Sequence, residues 1–143
     1  MWAGVWFVDY IAVGLAGFLG AVTRVFLGKI INTWLGWSFP VNTLIINLTG
    51  CFALSFFLTL TLERLEINPR LRLAIGTGFL GAYTTFSTFA VESINLIRNQ
   101  QVWPALVYLL ATPLGCVTLA WAGSAAAKAL VRRQTVEEEP LES

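Results

Sequence analysis

The stretch Gly78–Phe89, GFLGAYTTFSTF, sets four hydroxyl side chains, Thr84, Thr85, Ser87 and Thr88, around two phenylalanines and behind Gly78 and Gly81. No formal charge lies between Arg72 and Glu92, so this crowd sits in an apolar run. Glycine's backbone freedom and the habit of hydroxyls to bond nearby backbone make the stretch a poor continuous helix. A helix interrupted inside a membrane survives only where protein or a wet cavity meets its bare peptide groups. Such half-helix ends serve ions, carbonyls facing a cation and N–H groups an anion. Phe86 and Phe89, three apart, share a helical face, and an aromatic ring has a positive edge that can meet a small anion. Asn47, in TLIINLTG (43–50), is a lone amide that costs free energy in hydrocarbon unless bonded. It fits either an interhelical clamp or a pore wall, where its NH₂ brings two donors. Tyr108, Thr112 and Cys116 follow at spacing four as a mildly polar ladder, and Arg24 and Glu92 are the charges well inside predicted spans. Intramembrane charges face a pathway, pair together or snorkel to the headgroups. Plain packing also fits these residues, with the hydroxyls back-bonded to carbonyls and the rings in core or lipid.

The elements that would position them follow from composition. Of 143 residues, 57% are hydrophobic and 12% charged, about half the charged share of a soluble domain, and mean hydropathy is +0.72. This is the profile of an integral membrane protein. The charge-free gaps Lys29 to Glu63, Arg72 to Glu92 and Arg98 to Lys128 each hold a helix of about 20 residues, enough for the hydrocarbon core. Four spans are expected, at about Asp9–Ile31, Pro40–Leu62, Leu71–Ile97 and Val102–Ala127, the third of them broken. Pro40 suits a first helical turn. The short connections imply one packed bundle, a single domain over 1–129 followed by a polar tail, 130–143, expected to be disordered. Trp34, Trp37 and Trp103 fall at one membrane face and Trp2, Trp6 and Trp121 near the other, as an interfacial belt does.

The face with the termini carries Arg64, Arg70, Arg72, Lys128, Arg132 and Arg133, against Lys29, Arg98 and Arg24 opposite. Taken alone, the positive-inside bias places the termini in the cytoplasm. Ala12, Ala16, Gly20, Arg24 and Gly28 recur every four residues, and small residues at that spacing let helix backbones approach closely in lipid. Four helices supply little wall for a pore, so oligomerisation is expected. A net charge of +1 implies no nucleic-acid partner, and the absence of histidine excludes a histidine base or ligand. Cys51 and Cys116 stand in apolar runs without a CxxC partner and read as small core residues. No basic n-region or cleavage site marks a removable signal peptide. A proton-coupled small multidrug exporter needs a buried carboxylate early in the bundle, whereas Asp9 lies at a span edge and Glu92 comes late. A transport-free assembly subunit is a further alternative. An enzyme is the least expected, since no nucleophile–base pair or metal-ligand cluster appears.

Through its four spans the chain resembles the Fluc/CrcB fluoride channels. The resemblance rests on GFLGAVTR (17–24), NTLIINLTGCF (42–52) and above all GFLGAYTTFSTF. It implies an all-α membrane protein with four transmembrane helices per subunit, the third broken, paired as an antiparallel, dual-topology homodimer in the cell membrane. Such a protein passively exports fluoride, which enters cells as neutral HF and is trapped as the anion. The resemblance further implies two pores and a central structural Na⁺ held by the backbone carbonyls of Gly81 and Thr84 from each subunit. Phe86 and Phe89 would line the pores and Asn47 would face fluoride, with Ser87 and Thr88 close by. Tyr108, Thr112 and Cys116 match the family's polar track, joined by Thr43, and Arg24 matches the basic residue near the vestibule. Cys116 stands where a hydroxyl is common, and a thiol is a weaker donor. The six-to-three asymmetry of Lys and Arg is larger than evenly shared insertion suggests.

Overall fold

The computed structural model describes residues 3–35, 39–65 and 67–138, with side chains at 7–34, 39–65 and 67–133. Among these residues every regular element is helical. Helix α1 covers Ala3–Leu35 and α2 covers Val41–Glu63, which starts directly after Pro40. A short α3, Pro69–Leu73, opens on Asn68, whose side chain accepts the Arg70 amide at 2.9 Å, with Pro69 at the first helical position. A π-helical segment, Ala74–Leu80, follows, then one turn of α4, Gly81–Tyr83. Thr84 and Thr85 are extended, and α5 resumes over Phe86–Arg98. Two carbonyl-directed amides close the next bend, Gln100 to Ile97 at 3.0 Å and Gln101 to Leu96 at 2.9 Å. Gln100 takes the left-handed conformation (φ 59°) that such a helix end requires. Helix α6 then covers Val102–Glu138.

Three helices are long and apolar enough to cross a membrane: Phe7–Trp34, Val41–Glu63 and Val102–Arg133. Their outer faces expose large apolar side chains, among them Phe18, Phe26, Leu110, Leu114 and Val117. Apolar outer faces on helices of spanning length suit lipid. The molecule is a multi-pass membrane protein. Trp34, Trp103 and Trp121 are exposed, as belt residues are, while Trp37 and the side chains of Trp2 and Trp6 lie outside the described residues.

Packing follows the small residues. The stripe on α1 meets the broken segment almost backbone to backbone: a Cβ added at Gly20 would run into the Phe79 carbonyl, and one at Gly78 would lie 2.8 Å from the Val13 carbonyl oxygen. Asp9 pairs with Arg70 at 2.9 Å near the start of this seam, and Arg24 reaches Thr84 further along it. Contacts that rise together in number mean that α1 and the broken segment run parallel. The same holds for α2 and α6, where Leu48 packs on Gly115, Ser55 on Gly123, and the Thr59 hydroxyl donates to Ser124 at 3.1 Å. Helix α1 runs antiparallel to α2, with Gly28 against Asn42 and Ile46. The largest fully buried side chain is Tyr108, in a cluster with Phe89, Leu96 and Ala105.

Two boundaries differ from the sequence expectation. Helix α1 begins at Ala3 rather than near Asp9. The segment expected to be a disordered tail from residue 130 is helical through Glu138, extended by the strong helix formers of Ala125–Leu130. Residues 139–143 lie outside the described residues.

Candidate functional site

The site is built around the two extended residues. In an unbroken helix the amide of Thr85 would meet the carbonyl of Gly81, and that of Thr88 the carbonyl of Thr84. Here the Thr85 amide donates to Asn47 Oδ1 at 2.8 Å, while Asn47 Nδ2 donates to the Thr85 carbonyl at 3.0 Å. One side-chain amide from α2 thus replaces a backbone partner on both sides of a single residue. Asn47 is 6% exposed and Thr85 8%, so each bond removes a polar group that would otherwise be buried bare. Thr85 also caps α5: its Oγ1 accepts the Thr88 amide at 3.2 Å and lies 3.2 Å from Ser87 Oγ and 3.0 Å from Thr88 Oγ1. The carbonyls so released take weaker partners. Gly81 O receives the Thr84 hydroxyl at 3.4 Å, and Thr84 O receives the Arg24 guanidinium, also at 3.4 Å.

Beside this break lies a cavity of about 250 Å³ lined by Asn47, Thr84, Thr85, Phe86, Phe89, Thr112, Pro113 and Cys116. It brings together five of the expected pore residues from three helices. Phe86 and Phe89 stand 5.7 Å apart, centre to centre, with planes tilted by 49°, and Phe89 continues to Tyr108 at 5.0 Å. Thr112 is 5% exposed, and its hydroxyl has no hydrogen-bond partner, although a helical threonine commonly back-bonds to the preceding turn. The Thr112 hydroxyl therefore leaves a hydrogen-bonding group on the cavity wall.

A second cavity, about 230 Å³, shares Thr85 with the first and carries Arg24, Lys29, Thr43 and Thr88. Its two cations give it a positive mouth. A third hollow, about 290 Å³, is lined by Asn32, Asn42, Glu92, Asn95, Asn99 and Gln101 among others. At its edge Glu92 gathers two of the expected track residues: Thr43 Oγ1 donates to Oε1 at 2.9 Å and Tyr108 Oη to Oε2 at 2.7 Å. Glu92 therefore neither snorkels free nor pairs with Arg24; hydroxyls neutralise its lone pairs. Ser87 is exposed, beside the Thr85 cap.

The parts therefore form one neighbourhood: a broken helix clamped by an amide, two phenylalanine rings, an unpartnered hydroxyl and a cationic mouth. The family model described as "CrcB-like protein, Camphor Resistance (CrcB)" matches residues 11–124, most of the chain. The chain belongs to the CrcB-like family. Among its CrcB-like relatives, the Moorella thermoacetica protein named "Fluoride-specific ion channel FluC 1" is 54% identical over 106 residues, 74% of each chain. A Bacillus cereus protein of the same name is 43% identical over 129 residues, 90% of this chain and 89% of its own. The Solibacter usitatus "Fluoride-specific ion channel FluC" is 40% identical over 126 residues, 88% of this chain and all of its own.

Thr85 is not among the site residues expected from the sequence, yet it is the pivot of the break. A threonine immediately ahead of the apolar-periodic run that begins at Phe86 is a legible helix-start signal. What could not be read was its partner, Asn47, 38 residues away. Glu92 was noted only as a buried charge; the two hydroxyls that hold it come from α2 and α6.

Proposed function

We propose that this chain is a fluoride-selective channel that lets cytoplasmic fluoride leave down its gradient. The observation that carries the reading is the unpartnered Thr112 hydroxyl in a cavity framed by Phe86, Phe89 and the Asn47 amide. Fluoride is small and tightly hydrated, so a path for it must replace water with many donors, none strong enough to trap the ion. Hydroxyls, one amide and ring edges meet that demand, and Arg24 and Lys29 raise the local anion concentration at the mouth. Members named as fluoride-specific channels, aligned along nearly the whole chain, support the same substrate. Passive conduction needs no nucleophile or proton-cycling carboxylate. Asp9, the early carboxylate, is held by Arg70, which weakens the exporter alternative.

The proposed channel has four crossings per subunit. Helices α2 and α6 run parallel, so the chain between them must return across the slab, and α3–α5 is the segment available to do it. The functional unit in this reading is an antiparallel homodimer. Phe86, 79% exposed beside the cavity, is an unfinished wall that a second copy would close. The break also frees the carbonyls of Gly81 and Thr84 from helical amides, and each retains a lone pair beyond its long 3.4 Å partner. These oxygens fit a hard cation such as Na⁺. Bound there, Na⁺ would supply a fixed positive charge beside the anion path.

Efflux from proteoliposomes, read with a fluoride electrode and with potassium ionophore to balance charge, tests the reading. Fluoride is expected to leave rapidly without a proton gradient while chloride stays. Equal chloride release, or no fluoride release from properly folded protein, would overturn it.

A further inference from the structure

Cys51 and Cys116 lie on the parallel pair α2 and α6, each one turn beyond a residue of the cavity: Cys51 follows Asn47, and Cys116 follows Thr112. The helices are in close contact here. A Cβ at Gly115 would lie 2.6 Å from Leu48 Cδ2, and further along Gly123 lies against Ser55 and Phe52. Asn47 and Thr112, one turn before the cysteines, line one cavity, and Thr59 and Ser124, two turns beyond them, share a hydrogen bond of 3.1 Å, so this ladder sets Cys51 opposite Cys116. Both thiols are free and half-buried. Cys116 is on the cavity wall, and Cys51 is on the neighbouring helix α2. Among the described residues no third histidine, cysteine or carboxylate joins them. A tetrahedral zinc site therefore lacks ligands, since it needs four. Two soft sulfurs on facing helices in apolar surroundings instead suit an ion content with two ligands in line.

We propose that Cys51 and Cys116 form a two-coordinate dithiolate site for a soft d¹⁰ cation, of the Ag⁺, Cu⁺ or Hg²⁺ type, built into the wall of the cavity. Soft thiolate ligands select such ions over the hard cations of the cell. With mercuric chloride the step is a ligand exchange: two Hg–Cl bonds break, two Hg–S bonds form, and two protons leave with two chlorides. No electron changes hands. The bound ion pins α2 to α6 one turn from Asn47 and Thr112 and places a heavy atom beside the space that Phe86 and Phe89 frame. Metal binding stands independently of the transport reading; its effect on flux rests on that reading.

The test uses the freshly reduced, full-length protein in detergent with mercuric chloride as the probe. Intact mass is expected to show one mercury per chain with the loss of two protons, and both thiols should stop reacting with maleimide. Cys51→Ser and Cys116→Ser should each bind at least roughly 100-fold more weakly, the low end of what is gained by joining two binding groups at a fixed separation. Two mercury ions per chain, or single-serine variants that bind as tightly as the parent, would overturn the site. In proteoliposomes, mercury at one equivalent should lower fluoride efflux several-fold in the parent, with recovery on adding excess dithiol. Cys51→Ser should conduct normally and lose this sensitivity at one equivalent. Efflux untouched by demonstrably bound mercury would overturn the placement on the path. Absence of efflux before any mercury is added would instead fault the channel reading and leave the binding result standing.

Discussion

Asn47 carries two burdens that separate on mutation. Its amide holds both peptide groups of Thr85, and leaving a buried donor and a buried acceptor bare costs about 1–3 kcal/mol each. Asn47→Ala should therefore lower stability by about 2–6 kcal/mol, read as the midpoint of thermal unfolding in detergent. Thr85→Val keeps the backbone pair and loses the cap with its hydroxyl contacts to Ser87 and Thr88, so about 1–2 kcal/mol is expected. A reversed order would show that the clamp is not what supports the break. Phe86 offers the opposite case. It is largely exposed in the single chain, so Phe86→Ile should leave the unfolding midpoint nearly unchanged. The same variant should sharply reduce fluoride efflux, because an aliphatic side chain has no electropositive edge. Undiminished efflux would remove Phe86 from the path. At this scale the residue types were legible in the chain: hydroxyls, rings and a lone amide announced weak-donor chemistry. Which of its two readings Asn47 follows was not, since its partner is a peptide group 38 positions away.

At the level of elements, the broken segment holds its place by being pressed on α1. The stripe of small residues was readable from spacing alone, and its purpose is visible at Gly20, where the Phe79 carbonyl occupies the space of a side chain. Gly20→Ala must push the π-helical segment away, and overpacking of this kind costs about 1–3 kcal/mol. Because Arg24 and Thr84 lie on the same seam, the shift should also reduce efflux. Gly14→Ala is the matched control, since nothing stands within 4 Å of its added Cβ. Equal behaviour of the two variants, in unfolding and in flux, would show that the seam tolerates separation. The break itself was expected from Gly78, Gly81 and the hydroxyl cluster. The π-helical stretch before it was not, because its hydrogen-bond pattern differs from an α-helix by one residue and leaves no compositional mark. Charge and polarity placed the tail's boundary too early, while helix propensity carried α6 onward.

For the whole molecule, the exposed Phe86 and the freed carbonyls of Gly81 and Thr84 are surfaces waiting for a second copy in the proposed dimer. Light scattering with detergent subtracted should return twice the chain mass of 15.7 kDa. Replacing sodium by a bulky organic cation should lower that mass toward a single chain or abolish efflux. A dimer that conducts unchanged without sodium would take the cation out of the proposal.

The sequence by itself determined the solvent of this protein, the apolar helices that meet it, and the chemical kind of its site. Those properties are local sums: apolar runs set burial in lipid, and residue types set donor strength. Only the tertiary structure decided that α2 and α6 run parallel, that Asn47 stands in for a missing backbone partner, and that Thr112 keeps an unspent hydroxyl beside two rings. These depend on which distant groups meet, and a helix presents the same face whichever neighbour packs against it. The register between helices is fixed by shape, through glycines too small to hold a neighbour away.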